Sequence, residues 1–269
     1  MMPRIHPSAI VSEKAHLDHD VEVGPYSIVG DEVVIESGCV VMAHVVIEGP
    51  CRIGRDNRFH PFSSIGGAPQ DKKYRGEPST LLIGHGNVFR EGVTVNRGTI
   101  QDQGLTQLGN ENWVMAYVHI AHDCLIGDHC VLANSVNLAG HVKLGDYSVL
   151  GGYTGVHQFC QVGAHVMAGI ASVIVKDVPP YLMISGNSAK PFGLNREGLK
   201  RRGYNDSRLK SMQDTYRILY RSGLRLEEAL VKLHDQRQQL EQSGLIDEVH
   251  DLTISLRFLE ATRRGIIRP

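Results

Sequence analysis

From Val114 to Gly140 the chain reads VMAYVHIAHDCLIGDHCVLANSVNLAG. An aliphatic residue recurs at every sixth position of this stretch: Val114, Ile120, Ile126, Leu132 and Leu138. Neither an α-helix, with a period of about 3.6 residues, nor an ordinary strand, with a period of about 2, produces that spacing. A period of six indicates a parallel β-helix, in which short strands wind round a prism and each contributes an inward aliphatic side chain.

The same period extends over most of the 269 residues. It covers residues 5–65 and 83–95 and, after a shift of one residue, 108–174. Three hexads make one triangular coil of 18 residues, and successive coils stack as parallel strands roughly 4.8 Å apart. Parallel β-helices built from strict hexapeptides are left-handed in the known families, so we predict a mainly β fold, a left-handed parallel β-helix.

Glycine often follows the inward residue, as in Val23-Gly24, Ile126-Gly127 and Leu144-Gly145. A corner that needs φ > 0 favours glycine, because glycine has no Cβ. We therefore expect these glycines to provide left-handed corners.

Two stretches interrupt the repeat. Residues 66–82 place Asp71 and Glu77 where aliphatic side chains belong, and residues 99–107 form a second interruption around Asp102. We expect both to be loops outside the prism, and long loops on a rigid scaffold often carry function.

The prism is predicted to end near Val178-Pro179-Pro180, because proline cannot continue a backbone hydrogen-bond ladder. Helical spacing of apolar residues follows, and it predicts helices over residues 195–202, 207–221, 226–240 and 246–263. The expected organisation is a β-helix over residues 1–189 and a small helical domain over residues 190–269. Such a domain could cover the open strand edge of the last coil.

Composition bears on the partners of the protein and on its cellular compartment. The formal charge is −1, yet residues 190–230 contain 10 Lys and Arg against 5 Asp and Glu. This local excess indicates an acidic partner rather than general affinity for nucleic acid, although a solvated helical face explains it equally well.

The five cysteines include no Cys-x-x-Cys pair, which favours buried thiols in a reducing, cytoplasmic protein. No apolar run is long enough to predict secretion or a membrane span.

The repeat also brings polar residues together. Since residues 18 apart stack, His122 lies one coil below Gly140, and Asp123 lies one coil below His141. The patch offers a candidate general base, a carboxylate to orient it and a backbone N–H for an oxyanion. Two other interpretations stay open at this point: a structural role for His122, and a zinc site formed by His119, His122 and His141 at a subunit interface.

Several motifs resemble one known family. They are HIAHDC at 119–124, LAGHV at 138–142, VHQFC at 156–160, GAHVM at 163–167, EGLKRRG at 197–203 and QDKKYRGEP at 70–78. In this order they resemble the UDP-N-acetylglucosamine O-acyltransferases, bacterial enzymes that begin lipid A synthesis. The resemblance covers essentially the whole chain. It implies a homotrimer of left-handed β-helices with active sites in the clefts between subunits.

The reaction that the resemblance implies moves an (R)-3-hydroxyacyl group from acyl carrier protein to the glucosamine 3-hydroxyl of UDP-N-acetylglucosamine. His122 matches the general base, Asp123 matches the residue that orients its imidazole, and Gly140 matches the backbone donor to the thioester oxyanion. The resemblance implies no covalent acyl-enzyme, no metal and no cofactor.

Further positions match substrate contacts of the family. Asp71 and Lys73 match loop residues that hold the sugar nucleotide, while His141, His157 and Gln158 match cleft residues that contact substrate or product. The positions that match contacts to the uridine diphosphate are Asn195, Glu197, Arg201 and Arg202. Two guanidinium groups suit phosphate oxygens, although basic residues at an exposed helix end are also favoured by the helix dipole.

Three positions depart from the family pattern. Asn96 and Ser188 stand where relatives often have histidine, which affects the expected nucleotide affinity more than the reaction type. Ile170 stands where relatives with glycine accept a longer acyl chain, because this position ends the acyl groove. We therefore predict a shorter donor, with about ten to twelve carbons, since a packed interior does not tolerate added methylenes.

Three other functions are compatible with a hexapeptide prism. An N-acyltransferase acting on a related sugar would bring an additional N-terminal uridine-binding domain, which we do not expect because the repeat begins at Ile5. A zinc-dependent carbonic anhydrase of the γ type would need stoichiometric zinc, and a scaffold would have no turnover to lose. Neither of the last two explains the Asp71 and Lys73 loop together with the Arg201 and Arg202 helix.

Overall fold

The computed structural model describes residues 2–269 and shows a three-sided prism of short strands followed by four helices. Strands of successive coils pair in parallel with partners 18 residues apart, as His119 does with Asn137 and Ile120 with Leu138. The predicted stacking of the coils is therefore confirmed.

The prism has three faces, which we name A, B and C in the order in which the chain visits them. Face A contains β1 Arg4–Ile5, β4 Glu22–Val23, β7 Val40–Val41, β10 Arg58–Phe59, β13 Val88–Phe89, β16 Trp113–Val114, β19 Val131–Leu132, β22 Val149–Leu150, β25 Met167–Ala168, β27 Leu182–Ser185 and β28 Lys190–Leu194. Face B contains β2 Ile10–Val11, β5 Ile28–Val29, β8 Val46–Ile47, β11 Ser64–Gly67, β14 Thr94–Asn96, β17 His119–Ile120, β20 Asn137–Leu138, β23 Gly155–Val156 and β26 Val173–Ile174. Face C contains β3 His16–Leu17, β6 Val33–Ile35, β9 Cys51–Ile53, β12 Thr80–Ile83, β15 Leu105–Leu108, β18 Leu125–Ile126, β21 Lys143–Leu144 and β24 Gln161–Val162.

Each hexad places two side chains inside the prism. The larger is the periodic aliphatic residue, and the smaller lies two positions before it, as Ile120 and Val118 show at 0% exposure each. All five cysteines occupy the smaller position and are free and buried. Burial raises the pKa of Cys51 and Cys124 to about 12, which makes them poor nucleophiles. The cysteines therefore pack the prism.

The expectation for the glycines that follow the inward residue is wrong. Where a regular corner has a left-handed residue, it is the third after the inward one, and it is seldom glycine: Asp123 and His141 have φ of 59° and 63°. Gly24, Gly127 and Gly145 are required for space instead. A Cβ on Gly145 would lie 2.5 Å from the backbone nitrogen of Ala164 on the next coil.

The predicted end of the prism near Val178-Pro179-Pro180 stays a prediction, and the last strands of faces B and C, β26 and β24, lie before these residues. Face A continues beyond the prolines, because β27 pairs in parallel with β25 and then antiparallel with β28. The prolines lie in the turn before β27, outside the paired strands, so their missing N–H groups remove no hydrogen bond from the sheet.

The four helices are α1 Arg196–Arg201, α2 Asp206–Tyr220, α3 Leu226–Gln242 and α4 Ile246–Ala261. Leu209 and Met212 of α2 join the core of the prism, whereas α3 and α4 build a second apolar cluster around Leu233. A partly buried ion pair of 2.7 Å between Arg208 and Asp251 ties α2 to α4. The division of the chain at residues 189 and 190 stays a prediction, since β28 pairs across it. None of the helices within residues 2–269 is both long and apolar enough to span a membrane.

Candidate active site

The corner between faces B and C, which we name the B–C corner, carries most of the predicted site. His122 lies on it between β17 and β18, and His141 lies one coil further, between β20 and β21. Both interruptions of the repeat leave the prism at this same corner, between β11 and β12 and between β14 and β15. The two loops therefore stand on the coils that precede His122.

His122 and Asp123 form a hydrogen-bonded pair. The Nδ1 atom of His122 is 2.8 Å from Oδ2 of Asp123, and the two side chains are 15% and 1% exposed. Thr99 holds the carboxylate from the other side: its backbone N–H donates to Oδ1 at 2.8 Å and its hydroxyl donates to Oδ2 at 2.6 Å. The pair leaves Nε2 as the imidazole nitrogen that is available to a substrate.

The environment of Asp123 favours its charged form. Burial, the largest influence, opposes ionisation, but the hydrogen bonds from His122 and Thr99 together outweigh it and lower the pKa of the carboxyl. An ionised Asp123 accepts the Nδ1–H of His122, which fixes the tautomer with a basic Nε2. This is the arrangement that a general base requires.

Gly140 lies against the ring of His122. A Cβ built on Gly140 would be 2.6 Å from Cε1 and 2.7 Å from Nε2 of His122. In residues 2–269 the N–H of Gly140 has no hydrogen-bond acceptor, whereas the next residue donates its own N–H to the His122 carbonyl at 3.0 Å. The site thus combines a basic nitrogen with a neighbouring backbone N–H that is free to bind an oxyanion.

His141 is held by a residue that we did not predict as part of the site. Its Nδ1 is 3.0 Å from Oδ2 of Asp102, its Nε2 is 3.7 Å from Oδ2 of Asp123, and its ring stacks on Phe159 with a centroid distance of 4.2 Å. Asp102 and Thr99 both lie in the second interruption of the repeat. The interruption of the repeat was the only sequence signal for these two residues. The spacing of the repeat does not show where the side chains of a loop contact the prism.

A cleft of about 1110 Å³ opens at the B–C corner. His122, His141, Gln158, Asp71 and Lys73 all line it, so the first loop and the corner share one cavity. The second loop, the C-terminal end of α4 and the residues that follow it complete the walls. The further lining residues are Gln70, Lys72, Gln101, Asp102, Gln103, Lys143, Phe159, Gln161, Glu260, Ala261, Thr262, Arg263 and Arg264.

His157, Asn96 and Ser188 lie outside this lining. His157 is exposed on the same corner, with Nδ1 3.2 Å from the carbonyl oxygen of Gln158. Asn96 is buried and donates from Nδ2 to the Ala68 carbonyl at 2.9 Å, so it holds the base of the first loop. Ser188 is exposed in the turn between β27 and β28.

The residues predicted to bind uridine diphosphate lie at a different corner, between faces C and A. Arg202 donates to the Tyr147 carbonyl at 3.1 Å, and its guanidinium carbon lies 5.1 Å from the centroid of the Tyr147 ring. Asn195, Glu197, Arg201 and Arg202 line a separate pocket of about 360 Å³ with Met167 and Met183. Asn195 also has a structural role, because its side chain accepts from Gly198 N and caps α1.

Ile170 lies at the third corner, between β25 of face A and β26 of face B. Its side chain is 71% exposed. The three predicted groups, for base, nucleotide and acyl chain, thus stand at three different corners of one chain.

The histidines also bear on the zinc interpretation. In residues 2–269 one group of three potential metal ligands lies within 4.8 Å, and it consists of His122, Asp123 and His141. His119 is not part of this group, and its Nδ1 lies 2.7 Å from the Thr94 hydroxyl. Burial, and then the proximity of His122, lowers the pKa of His119.

A prism of hexapeptide repeats with a histidine–carboxylate pair in a corner cleft defines the class of hexapeptide-repeat transferases. The repeats over residues 32–67 and 106–140 match the bacterial transferase hexapeptide family, and residues 177–267 match the second domain of UDP-N-acetylglucosamine O-acyltransferase. The chain belongs to the UDP-N-acetylglucosamine O-acyltransferase family and is an acyltransferase. The predicted family and the predicted left-handed parallel β-helix are confirmed.

The relatives match from end to end. An acyl-[acyl-carrier-protein]–UDP-N-acetylglucosamine O-acyltransferase of Janthinobacterium is 52% identical over 99% of this chain and 100% of its own length. The enzyme of the same name from Thiobacillus denitrificans is 52% identical with the same coverage. Among solved structures, the UDP-N-acetylglucosamine acyltransferase of Francisella novicida is 39% identical with a TM-score of 0.93, covering 98% of this chain and 94% of its own.

Proposed function

We propose that this protein transfers an (R)-3-hydroxyacyl group from acyl carrier protein to the 3-hydroxyl of UDP-N-acetylglucosamine, the first step of lipid A biosynthesis, in the cytoplasm. Relatives of about half-identical sequence carry both substrates in their names. The observation in this chain that carries the proposal is the pairing of His122 with buried Asp123, which leaves Nε2 beside Gly140 in the cleft.

The proposed chemistry begins at Nε2 of His122. This nitrogen takes the proton of the sugar 3-hydroxyl while the hydroxyl oxygen attacks the thioester carbonyl carbon, and ionised Asp123 stabilises the imidazolium that forms. The N–H of Gly140 donates to the oxyanion of the tetrahedral intermediate. When the intermediate collapses, the carbon–sulfur bond breaks, and the thiolate takes the proton from Nε2. Protons and electrons balance without a cofactor.

The cleft residues provide for substrate binding in this proposal. Asp71 and Lys73 on the first loop hold the sugar nucleotide, while His141, His157 and Gln158 contact substrate or product. Asp102 and Phe159 fix the ring of His141, which supports a binding role that depends on its orientation. The diphosphate is assigned to Asn195, Glu197, Arg201 and Arg202 of a neighbouring subunit.

A second subunit is part of the proposal because His122 and Arg202 lie at different corners of one prism. These corners point outward in different directions, so they cannot line the same cleft within a single chain. Six residues separate neighbouring corners, a span of at most about 20 Å. If face B of one chain packs on face A of the next round a threefold axis, the B–C corner of the first meets the C–A corner of the second. Exposed apolar side chains occupy the surfaces that would become buried. They include Tyr26, Phe62, Tyr117 and Tyr153 at the A–B corner and Trp113 and Met183 on face A.

Mixed trimers test this arrangement. His122→Ala and Arg202→Ala chains should each have little activity alone, whereas trimers assembled from an equal mixture should regain about a quarter of the wild-type rate, since that fraction of sites receives both intact residues. Turnover before and after co-refolding measures the gain. If His122 and Arg202 served one site from the same chain, the mixture would show no gain.

In this arrangement the acyl groove would run between face B of one subunit and face A of the next. It would lead toward Ile170, whose exposed side chain would close its end. Ile170→Gly is expected to shift the preferred donor toward chains about two to four carbons longer, because the groove gains the volume of the removed side chain. Ile170→Ala should give an intermediate preference. The measurement is kcat/KM over a panel of (R)-3-hydroxyacyl carrier proteins, and an unchanged optimum in both variants would exclude Ile170 as the end of the groove.

The proposed activity itself is tested by turnover of UDP-N-acetylglucosamine with (R)-3-hydroxyacyl carrier protein in the presence of a chelator. Transfer that persists in chelator supports the histidine mechanism. Loss of activity in chelator, with recovery on adding zinc, would instead favour a metal held by His122, Asp123 and His141.

A further inference from the structure

We infer that Arg263 and Arg264 form a phosphate-binding site at the edge of the reaction cleft, an inference that rests on the proposed function. Both arginines line the cleft that contains His122 and His141. They belong to residues 262–267, which follow α4 and which we name the C-terminal strap. The resemblance of the sequence to the family assigned the anion contacts to Arg201 and Arg202 instead, at another corner.

The strap is anchored by a buried carboxylate. Asp177 is 0% exposed, and its Oδ2 accepts from the hydroxyl of Thr262 and, at 3.3 Å, from the backbone N–H of Arg263. The Asp177 backbone pairs with the strap as well: its N–H donates to the Gly265 carbonyl at 3.1 Å, and its carbonyl accepts from Ile267 N at 2.9 Å. The backbone that carries both arginines is thus fixed before a ligand binds, which lowers the entropic cost of binding.

The guanidinium groups retain free donors. One nitrogen of Arg264 donates to the carbonyl of Gln158 at 3.0 Å, which places this side chain on the coil that carries Gln158 and leaves further N–H donors. In residues 2–269 neither Arg263 nor Arg264 has a carboxylate partner within 4.0 Å. Two unneutralised guanidinium groups on adjacent residues can bind several oxygens of one phosphate.

The remaining charges of the cleft favour an anion on balance. The cations on its walls are Lys72, Lys73, Lys143, Arg263 and Arg264, and the anions are Asp71, Asp102 and Glu260. Asp102 is already paired with His141, and Glu260 with His234. The net positive wall attracts a phosphate rather than a cation.

The proposed reaction has two sources of such a group. One is the diphosphate of the sugar nucleotide, and the other is the phosphodiester that joins the prosthetic arm to acyl carrier protein. Both substrates must meet at His122, so both bring a phosphate to this cleft. Two phosphate-bearing probes, one for each source, decide which of them the strap binds, and a phosphate-free analogue of the second serves as its reference.

Calorimetry on the full-length protein with UDP, phosphopantetheine and pantetheine separates these cases and needs no turnover. The variants are the double substitution Arg263→Gln with Arg264→Gln and, as a matched control, Arg257→Gln on α4, an exposed arginine outside the cleft. We expect the double variant to bind one phosphate probe about tenfold more weakly, the order expected from losing exposed charge-assisted hydrogen bonds. Thermal unfolding should be unchanged in both variants.

Weaker binding of UDP assigns the strap to the sugar nucleotide. Loss of the preference for phosphopantetheine over pantetheine assigns it to the carrier. If the double variant binds both phosphate probes as the wild type does, or if the wild type binds neither at millimolar concentration, the inference is overturned. Failure of the proposed function would give a different result: the wild-type protein would bind a phosphate probe but would not transfer an acyl group to UDP-N-acetylglucosamine.

Discussion

His122→Ala is expected to lower kcat by about 10²- to 10⁴-fold, the usual contribution of a positioned general base. The ring is the group in the cleft whose Nδ1 is bound by a buried carboxylate and whose Nε2 is left for substrate. Because removal of the ring does not disturb the apolar interior of the prism, the melting temperature should stay close to that of the wild type. The measurement is kcat at saturating concentrations of both substrates, with circular dichroism to follow unfolding.

The matched control is His250→Ala, which removes an exposed histidine of α4 and should leave kcat unchanged. A His122→Ala protein that is folded and turns over within a few-fold of the wild type would contradict the assignment of His122 as base. The acyl transfer itself could then still occur, with another group accepting the proton.

Gly140→Ala is expected to lower kcat by about 10²- to 10³-fold, comparable to the loss of an oxyanion donor. The added methyl would lie 2.6 Å from Cε1 and 2.7 Å from Nε2 of His122. Real Cβ contacts are not that short, so the ring or the corner must move. Movement of either one separates the basic nitrogen from the N–H of Gly140, and the two can no longer act on one tetrahedral centre.

Gly30→Ala is the matched control, because a Cβ at Gly30 comes no closer than 3.4 Å to any atom beyond its chain neighbours, and this glycine lies at the B–C corner several coils away from the cleft. It should retain wild-type kcat. Binding of UDP-N-acetylglucosamine should change little in Gly140→Ala, since the substitution acts on the reacting centre. Wild-type kcat in Gly140→Ala would show that the close approach of residue 140 to the ring has no part in the chemistry.

The six-residue period was sufficient to predict the core of the fold and which residues of the candidate site lie side by side. Strand register at a spacing of 18 residues follows from closing a three-sided coil, so the positions of His122 beside Gly140 and of Asp123 near His141 could be inferred from counting. The tight packing of successive coils explains why residue 145 is a glycine. From the sequence alone, this glycine was expected to provide a left-handed backbone conformation at a corner. Periodicity reports which side chains point inward, but not the φ of each corner.

Contacts made by segments outside the repeat could not be predicted. Thr99 and Asp102 reach Asp123 and His141 only because the second loop folds back over its own corner. The C-terminal strap reaches the cleft because buried Asp177 binds it, a contact that joins residues 85 positions apart. No local pattern encodes such a return, since it depends on where α4 ends and on how its apolar face packs.

The central claim is that this chain joins an (R)-3-hydroxyacyl group to the 3-oxygen of UDP-N-acetylglucosamine. The most direct measurement is the structure of the product formed by wild-type protein from UDP-N-acetylglucosamine and (R)-3-hydroxyacyl carrier protein, determined by mass spectrometry and NMR. The account predicts one ester at the 3-oxygen, with stoichiometric release of free carrier thiol. Acylation at another position, or no acylated sugar nucleotide with any donor, would contradict it.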